Sequence, residues 1–481
     1  MKSSLLTRRS FLQRTLLASA AVSATRIIPA PNLVAASPGD RIKVVQVGCG
    51  GRGLSAHLRW LVTQSKDHVV GIVDADERRI AASKRWMERQ GVNCADLKTY
   101  NDYRVMFDKI GNEIDAIFVA TPNHHHALPS LIAMELNKGV YCEKPLCHDI
   151  HEARTLRAMA ARSKAPTQMG NQGHCMDGYR RLCEFVWSGL VGHITETHSW
   201  SDRANGGTGP RPAPIPVPKG MHWDNWIGPA PYREFHTDLH PHEWHGWYDF
   251  GNGSIGNMGC HIMDGVYWAL NLGYPNSFEA EEINGGTDER YPIGTRIRWD
   301  FPARGEMPEV KVYWYDGMKP GVNGKAVGTY DLVKGGARNV PPLLEELQKK
   351  YPEEVFDSNG TLYVGTKGIL STDTYGSHPH LVPFDTTEEI TRKIPRLLPR
   401  PENIMDNFLD ACRQGKKQTA ASFEYGARLT ELILTGNLTQ YAGAGKTLVW
   451  DGPNARVTNY EELNQFIRRP YRTGWQRGAL E

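Results

Sequence analysis

The first third of the chain alternates short apolar runs with longer segments of helical periodicity. The apolar runs are rich in β-branched residues and cover residues 42–47, 68–73, 116–120, 140–142 and 166–170. Helical patterns separate them, for example over residues 78–89 and 148–162. Strands that alternate with helices form a parallel sheet with helices on both faces. We therefore predict a doubly wound α/β domain over residues 40–170.

The pattern changes after residue 171. Strand-like segments now follow one another through turns rather than helices, at residues 193–201, 295–301, 310–315 and 361–365. Turn-linked strands favour antiparallel pairing. Helical patterns precede them at 179–188 and return at 404–413 and 423–440. We predict a mostly antiparallel open-sheet domain (α+β) with returning C-terminal helices over residues 171–440, followed by a tail over residues 441–481.

The first 36 residues are typical of an export signal rather than of a folded element. A twin-arginine pattern, Thr7-Arg8-Arg9-Ser10-Phe11-Leu12, precedes a weakly apolar run and two small-residue cleavage candidates at 22–24 and 34–36. The alternative is a basic amphipathic helix that lies on a membrane. We predict a signal peptide over residues 1–36, export by the twin-arginine (Tat) route and a periplasmic location.

Composition narrows the classes of partner. The chain is 40% hydrophobic and 23% charged, which is typical of a soluble globular protein. Its formal charge of +3 includes five positive charges and no acid within residues 1–36, so the remainder carries about −2. This balance gives no basis for nucleic-acid binding. No apolar stretch reaches about 18 residues, so we expect no stable membrane insertion. The eight cysteines have no metal-type spacing and are predicted to be small buried residues.

A glycine-rich turn, Gly48-Cys49-Gly50-Gly51-Arg52-Gly53, follows the first predicted strand directly and opens a helix. Glycines in this context permit a tight turn, close approach of a pyrophosphate and close helix packing. Asp74 ends the second strand, where a carboxylate accepts from the adenosine ribose hydroxyls and repels a 2′-phosphate. We predict a Rossmann domain that binds NAD in preference to NADP, on the assumption that no arginine accompanies Asp74. A purely structural glycine turn is the alternative.

Two further motifs follow the next strands. The first is Thr121-Pro122-Asn123-His124-His125-His126. Adjacent histidines in an ordinary loop cannot all face one ion, so we favour a loop at the nicotinamide side and predict no metal. The second is Glu143-Lys144-Pro145, in which Pro145 ends the strand and holds Lys144 at the carboxyl edge. The Lys144 ammonium can stabilise a developing alkoxide; a solvated lysine at a strand end is the alternative.

A glycine-rich segment around residue 257 carries the third candidate motif. Asn257 and His261 are separated by four residues, one turn of a helix. His261 can transfer a hydroxyl proton because its unperturbed pKa lies near neutrality. A purely structural histidine is the alternative.

Together these motifs resemble the Gfo/Idh/MocA oxidoreductase family, which includes inositol dehydrogenases and glucose–fructose oxidoreductase. The resemblance covers about residues 40–440, with the motifs in the family's order. It implies a Rossmann domain beside a mostly antiparallel open sheet, with NAD bound between strand ends and that sheet. It also implies that Lys144 and His261 flank the reacting carbinol, and that dimers or tetramers form through the exposed sheet face.

The motifs and the resemblance together give three sets of candidate site residues. The catalytic candidates are Lys144, His261 and Asn257. The cofactor-binding candidates are Gly48, Gly50, Gly51, Arg52, Gly53, Asp74, Thr121, Pro122, Asn123, His126, Glu143, Lys144, Asn171 and Gln172. The substrate-binding candidates are Tyr179, Trp244, Trp247 and Asp264.

One position departs from the family's pattern. Many dehydrogenases of this type carry an acid where this chain has Asn257. An amide can position a hydroxyl but cannot accept its proton. We therefore expect Asn257 to position a substrate hydroxyl, and His261 to work without a carboxylate partner.

Aromatic residues concentrate between residues 200 and 268. The tryptophans of this stretch are Trp200, Trp223, Trp226, Trp244, Trp247 and Trp268. Aromatic faces pack against pyranose rings, which supports a sugar-like substrate. The same residues could instead bury a long loop against the sheet.

Three functions are compatible with these residues. The first is an NAD-dependent oxidoreductase that acts on a hydroxyl of a sugar, cyclitol or sugar derivative. The second is an NAD-dependent glycoside hydrolase, which oxidises a sugar hydroxyl transiently, eliminates, adds water and returns the hydride. The third is a sugar-sensing protein that keeps the cofactor without chemistry; the presence of Lys144 and His261 argues against it.

Overall fold

The structure is a computed structural model that describes residues 41–65, 67–321, 337–384, 387–401 and 403–480. The signal peptide predicted for residues 1–36 lies outside these residues. Within the described ranges, no helix combines the length and the apolar character needed to cross a membrane.

The first domain contains a six-stranded parallel sheet. Its strands are β1 (Lys43–Val47), β2 (His68–Val73), β3 (Lys98–Tyr100), β4 (Ala116–Val119), β5 (Gly139–Cys142) and β6 (Thr167–Met169). They lie in the order β3-β2-β1-β4-β5-β6, and every neighbouring pair is parallel. The order reverses between β1 and β4, so the carboxyl ends of these strands open the crevice in which such sheets bind ligands.

Helices connect these strands across both faces of the sheet. A six-residue π-helix (Gly53–Leu58) continues as α1 (Arg59–Thr63), and α2 (Glu77–Arg89), α3 (Tyr103–Ile110), α4 (Ala127–Glu135) and α5 (Ile150–Arg162) follow. Val44 and Val45 are adjacent in β1 but belong to different apolar clusters, because successive strand residues point to opposite faces. The predicted doubly wound domain is confirmed. The strand β3 was not predicted, because its three residues carry no apolar run.

The second domain contains a nine-stranded sheet in the order β13-β12-β11-β7-β10-β9-β8-β14-β15. Its strands are β7 (Ile194–Ser201), β8 (Ser277–Asn284), β9 (Gly294–Phe301), β10 (Val310–Gly317), β11 (Gly360–Gly365), β12 (Gly368–Asp373), β13 (His380–Val382), β14 (Leu448–Asp451) and β15 (Arg456–Val457). The pair β7–β10 is parallel and the other pairs are antiparallel. The prediction of a mostly antiparallel second sheet is confirmed.

The remaining α-helices follow β6 along the chain. They are α6 (Asp177–Trp187), α7 (Trp223–Ile227), α8 (Gly253–Ile262), α9 (Asp264–Ala269), α10 (Pro342–Lys350), α11 (Thr387–Thr391), α12 (Ile404–Arg413) and α13 (Phe423–Ala442). The long helix α13 packs against α5, α8 and β8. The Trp299 indole donates to Thr435 Oγ1 of α13 at 2.9 Å. The helix α12 packs on the Rossmann sheet, where the Phe408 ring lies 5.5 Å from Phe118 and 5.9 Å from Tyr141.

Residues 441–480, for which the sequence indicated a tail, belong to the folded body. The strand β14 pairs with β8, and Tyr471 and Trp475 are buried. Strands of four and two residues are too short to produce a recognisable alternating pattern. The eight cysteines are free and all but Cys412 are buried, as the sequence predicted.

Candidate active site

The glycine turn lies at the carboxyl end of β1 and has no room for a side chain at Gly48 or Gly53. Gly48 has a φ of +88°, and a Cβ at this position would lie 2.5 Å from the Ala120 carbonyl oxygen. A Cβ on Gly53 would lie 1.9 Å from the Gly48 carbonyl oxygen. Both positions therefore require glycine. The open backbone that results fits the pyrophosphate of a dinucleotide.

Asp74 follows β2 and faces the same cavity as the glycine turn. Its Oδ2 accepts from the Cys49 amide at 2.7 Å and its Oδ1 from the Asp76 amide at 2.9 Å. Burial raises the pKa of Asp74 to about 6, although these amides and Arg79 lower it. Asp74 is thus held rigidly beside the turn, where ribose hydroxyls would meet it.

An arginine accompanies Asp74, contrary to the sequence-based assumption. Arg79 of α2 lines the same cavity. Its Nη1 lies 3.2 Å from the position that a Cβ on Gly50 would take. Arg79 was not predicted because the sequence does not show which residues of a helix face the strand ends. The repulsion of a 2′-phosphate by Asp74 is therefore partly offset.

The three adjacent histidines point into the protein, where they face backbone carbonyls. Nε2 of both His124 and His125 lies 2.9 Å from the Trp226 carbonyl oxygen. The His126 ring contacts the carbonyl oxygens of Pro145 at 2.7 Å and Thr121 at 2.8 Å. His126 thereby links the Thr-Pro-Asn loop to the Glu-Lys-Pro turn. Among the described residues there is no group of three or more His, Cys, Asp or Glu that could hold a metal ion.

The Glu143 carboxylate contacts two nitrogen-bearing side chains, one in the glycine turn and one in the helix that follows it. It is buried and accepts from Arg52 Nε at 3.0 Å and His57 Nε2 at 2.9 Å. Burial alone raises the pKa of Glu143, but the charge of Arg52 and the contact with His57 outweigh it and hold the pKa well below its usual range. The carboxylate therefore remains ionised next to Lys144.

Lys144 joins the Rossmann edge to α8. Its Nζ donates to the Asn257 carbonyl oxygen at 2.7 Å and lies 3.3 Å from Asn257 Oδ1. The Asn257 amide nitrogen donates to Asn205 Oδ1 at 3.1 Å. Burial lowers the pKa of Lys144, against the opposing charge of Glu143. The side chain of Asn257 thus contacts lysine, although the sequence had associated it with His261.

His261 lies one turn further along α8 and has a different amide partner. Its Nδ1 lies 2.9 Å from Asn171 Oδ1, and the Asn171 amide nitrogen donates to the Cys260 carbonyl at 2.9 Å. Because Oδ1 is the acceptor, Nδ1 carries the hydrogen and Nε2 carries the lone pair. Burial lowers the pKa of His261 well below its ordinary value, and Lys144 adds to this effect. Asn171, a predicted cofactor residue, is therefore the partner of His261.

The cavity beside the sheet edge has a volume of about 260 Å³. The predicted residues that line it are Gly48, Gly50, Gly51, Arg52, Asp74, Thr121, Pro122, Asn123, His126, Glu143, Lys144, Trp244 and Asn257. The predicted residues outside its lining are Gly53, Asn171, Gln172, Tyr179, Trp247, His261 and Asp264.

The structure uses three of the predicted substrate residues for packing. Tyr179 is fully buried and donates to the His261 carbonyl at 2.5 Å. Asp264 is fully buried beside His174 Nδ1 at 3.0 Å. Trp247 lies in the apolar cluster of its loop. Their residue types suited a sugar site, but the sequence did not reveal which of them face the core.

Residues 220–247, here called the covering loop, form much of the opposite wall. The His222 amide donates to the Ala75 carbonyl and the Glu77 amide to the Gly220 carbonyl, both at 2.8 Å. The Asn225 side chain donates to the Asn101 carbonyl at 3.1 Å. Its cavity-lining residues are Asn225, Trp226, His240, Pro241, His242, Trp244 and His245. Of these residues, Trp244 was predicted as a site residue and the others were not. What pointed to them in the sequence was the density of His and Trp in this stretch.

Two family models match this chain. Residues 42–171 match the oxidoreductase family with an NAD-binding Rossmann fold, and residues 191–294 match the C-terminal alpha/beta domain of the same family. Inositol 2-dehydrogenase 3 of Saccharopolyspora erythraea is 30% identical over 160 residues, 33% of this chain and 44% of that protein. Inositol 2-dehydrogenase of Salmonella typhimurium is 29% identical over 159 residues, 33% and 45% of the two chains. The alignments span less than half the length of these curated relatives.

Solved structures share the fold. The WlbA dehydrogenase from Bordetella pertussis, in complex with NADH and UDP-GlcNAcA, superposes with a TM-score of 0.55 at 13% identity, covering 85% of this chain and 99% of that one. A levoglucosan dehydrogenase in complex with NADH and levoglucosan gives 0.51 at 15% identity, covering 85% and 99%. Residues 42–171 and 191–294 are therefore similar to the two domains of the Gfo/Idh/MocA oxidoreductase family, the first of which is an NAD-binding Rossmann domain.

Proposed function

We propose that this chain is an NAD-linked oxidoreductase that acts on a CH–OH group of a sugar, a cyclitol or a sugar derivative. The observation that carries the proposal is the contact of Lys144 with Asn257, which joins a half-buried ammonium group and α8 at the carboxyl edge of the NAD-binding sheet. Relatives described as inositol 2-dehydrogenases support the substrate class.

His261 is proposed as the group that accepts the hydroxyl proton of the substrate. Its Nδ1 is engaged by Asn171, so the lone pair on Nε2 is the acceptor. Since burial lowers its pKa, the ring is neutral at neutral pH and ready to take up a proton. An amide partner fixes the tautomer without adding the negative charge that would raise the pKa of the ring.

Lys144 is proposed as the group that stabilises charge on the reacting oxygen. Its ammonium has three hydrogens, and the Asn257 carbonyl takes one of them. A positive charge in a buried site favours the negative charge that develops on the oxygen as the C–H bond breaks. NAD, when bound, supplies the nicotinamide carbon that accepts or returns the hydride.

The covering loop supports the second candidate, an NAD-dependent glycoside hydrolase. That reaction returns the hydride to the same substrate, so its cofactor does not have to exchange during turnover. Backbone hydrogen bonds at Ala75 and Glu77 tie the loop down beside Asp74, as a retained dinucleotide would require. Cleavage of a glycoside without added NAD or acceptor would favour this candidate over net oxidation.

The purified full chain should be incubated with free sugars, cyclitols and glycosides, with and without added NAD. For the oxidoreductase, we expect NADH absorbance near 340 nm to rise with one class of alcohol and an oxidised product to accumulate in equal amount. A matched Lys144→Met variant should bind NAD and form little product. Binding of NAD without turnover by any panel member would contradict both candidates.

We also propose that residues 1–36 direct export to the periplasm by the twin-arginine route. The support is the order of Arg8, Arg9, the apolar run and the small residues. A reporter fused to residues 1–36 should reach the periplasmic fraction, and an Arg8→Lys, Arg9→Lys double variant should remain inside. Equal export of both would contradict the proposal.

A further inference from the structure

Residues 468–477, here called the anchor segment, return to the Rossmann domain from the second sheet. Arg469 Nη2 donates to Glu152 Oε1 at 2.9 Å and to the His124 carbonyl at 2.8 Å. The Tyr471 hydroxyl donates to the same Glu152 oxygen at 2.6 Å. Glu152 and Tyr471 are buried, the Arg469 side chain is 13% exposed, and Glu152 belongs to α5. The anchor segment is therefore fixed to the Rossmann domain by a largely buried charged contact.

The electrostatics of this contact keep both partners ionised. Burial alone lowers the pKa of Arg469, but Glu152, Tyr471 and Asp149 outweigh it and raise the pKa above its usual value. Burial raises the pKa of Glu152, and Arg469 outweighs it and lowers the pKa. Breaking a buried ion pair by removing one partner is strongly destabilising. The anchor segment is therefore held against the Rossmann domain by this ion pair.

The same segment brings Trp475 to the cavity. Arg472 Nε donates to the Gly228 carbonyl of the covering loop at 3.0 Å. Arg104 Nη1 donates to the Gly474 carbonyl at 2.8 Å, and the Arg104 guanidinium lies 3.5 Å from the centre of the Trp475 ring. Trp475 is 3% exposed and lines the cavity beside Tyr103. One indole therefore closes the cavity at the start of α3.

The direction of a bound dinucleotide follows from the opposite end of the cavity. The pyrophosphate belongs at the glycine turn and the adenosine ribose at Asp74. Lys144 and Asn257 mark the nicotinamide side. The adenine then lies beyond Asp74, toward Asn101, Tyr103 and Trp475, at the carboxyl ends of β2 and β3.

We propose that Trp475 forms the end wall of the adenosine subsite and that the anchor segment, with the covering loop, retains NAD in the protein. This inference rests on the proposed NAD-dependent function. It concerns residues beyond both segments that the family models match, residues 42–171 and 191–294. Removing the indole opens the adenosine end to water and leaves the nicotinamide end unchanged.

The experiment measures binding of the two halves of the cofactor separately. Isothermal titration of the full chain with AMP and with nicotinamide mononucleotide gives the two dissociation constants, and stopped flow gives the release rate of NADH. For Trp475→Ala we expect AMP binding to weaken roughly tenfold and NADH release to accelerate by a similar factor. The affinity for nicotinamide mononucleotide should stay within about twofold.

Trp450→Ala is the matched control, because Trp450 is 6% exposed and packs on Phe278 in the second sheet, away from the cavity. It should reproduce the loss of thermal stability without a change in AMP binding. Arg472→Ala releases the anchor segment from the covering loop without emptying a buried position, and should also accelerate NADH release. It keeps the proposal testable if Trp475→Ala does not fold.

Unchanged AMP affinity in folded Trp475→Ala, or an equal loss for AMP and nicotinamide mononucleotide, overturns the inference. If Trp475→Ala does not fold, an unchanged NADH release rate in Arg472→Ala overturns it. A wild-type chain that binds neither nucleotide half nor NAD overturns the proposed function as well.

Discussion

Two walls of one cavity have different origins. The sheet-edge wall comes from turns at strand ends, such as Gly48–Gly53, Asp74 and Lys144. The opposite wall comes from the covering loop and the anchor segment, which begin more than 70 residues after Lys144 along the chain. The first wall carries Lys144, the group proposed to stabilise charge, and the second closes the space around the cofactor. Substitutions in the two walls should therefore change different measurable quantities.

The largest expected effect is on turnover, from the sheet-edge wall. Lys144→Met should lower turnover by roughly a hundredfold or more, because a buried charge stabiliser is lost. NAD affinity, measured by titration, should remain nearly unchanged. Lys164→Met, an exposed lysine of the same domain, is the control. Normal turnover in Lys144→Met would show that the Glu-Lys-Pro turn has only a structural role.

The preference for NAD over NADP tests how Asp74 and Arg79 together determine binding at the adenosine ribose. NAD should bind roughly tenfold more tightly than NADP, because Asp74 repels a 2′-phosphate while Arg79 offsets part of that repulsion. Arg79→Ala should widen the preference by roughly another tenfold. Arg78→Ala is the control, since Arg78 pairs with Asp76 and is half exposed. Equal affinities of the wild type for both nucleotides, measured by titration, would contradict the role of Asp74.

The amide beside His261 should control the acid limb of the pH–rate profile. Asn171→Asp places a carboxylate against Nδ1, and its negative charge raises the pKa of His261. His261 must be neutral to accept a proton, so activity should be lost at a higher pH and the acid limb should move upward. The measurement is kcat between pH 5 and 9 on folded protein. An unmoved acid limb would exclude His261 as the titrating base.

The amide beside Lys144 should control the basic limb instead. Asn257→Asp places a carboxylate about as close to Nζ as the present 3.3 Å contact, and its negative charge raises the pKa of Lys144. Lys144 must be charged, so activity should persist to higher pH and the basic limb should move upward. Each aspartate variant is the control for the other. If both move the same limb, the assignment of the two groups is wrong.

The smallest expected effect is the pH dependence of NAD binding. Burial raises the pKa of Asp74 to about 6, so its ionised form is lost as pH falls through that value. A protonated carboxyl group no longer accepts on both oxygens. At pH 5.5 about a quarter of the free protein keeps the ionised form, so NAD should bind roughly fourfold more weakly than at pH 8. Asp74→Asn should remove the dependence, and a flat wild-type profile would contradict it.

The sheet-edge wall could be predicted because its signals are local. Buried parallel strands produce apolar runs, and Gly48, Asp74 and Lys144 each directly follow such a run. The partners of these residues could not be predicted in the same way. His261 contacts Asn171, 90 positions away, and Asn257 contacts Lys144 across the domain interface. No periodicity in the sequence encodes which of two amides meets which side chain.

The opposite wall shows a second limit of prediction from the sequence. Trp244 and Trp247 both belong to the apolar cluster of the loop, but Trp244 also lines the cavity and Trp247 does not, although they lie three residues apart. A tryptophan indicates a large contact area, but its residue type does not show which side of the loop its ring lies on. Trp475 was not predicted, because its place at the cavity depends on the contact of Arg469 with Glu152, which only tertiary packing creates.

The position of α12 affects any attempt to exchange the Rossmann domain with that of a related protein. Phe408 of α12 completes an aromatic layer with Phe118 and Tyr141, on strands that precede it by more than 250 residues. A chimaera that replaces only residues 40–170 would seat a foreign sheet beneath this helix and leave the layer mismatched. The unit that can be exchanged is discontinuous in sequence, so residues 404–413 have to be exchanged together with residues 40–170.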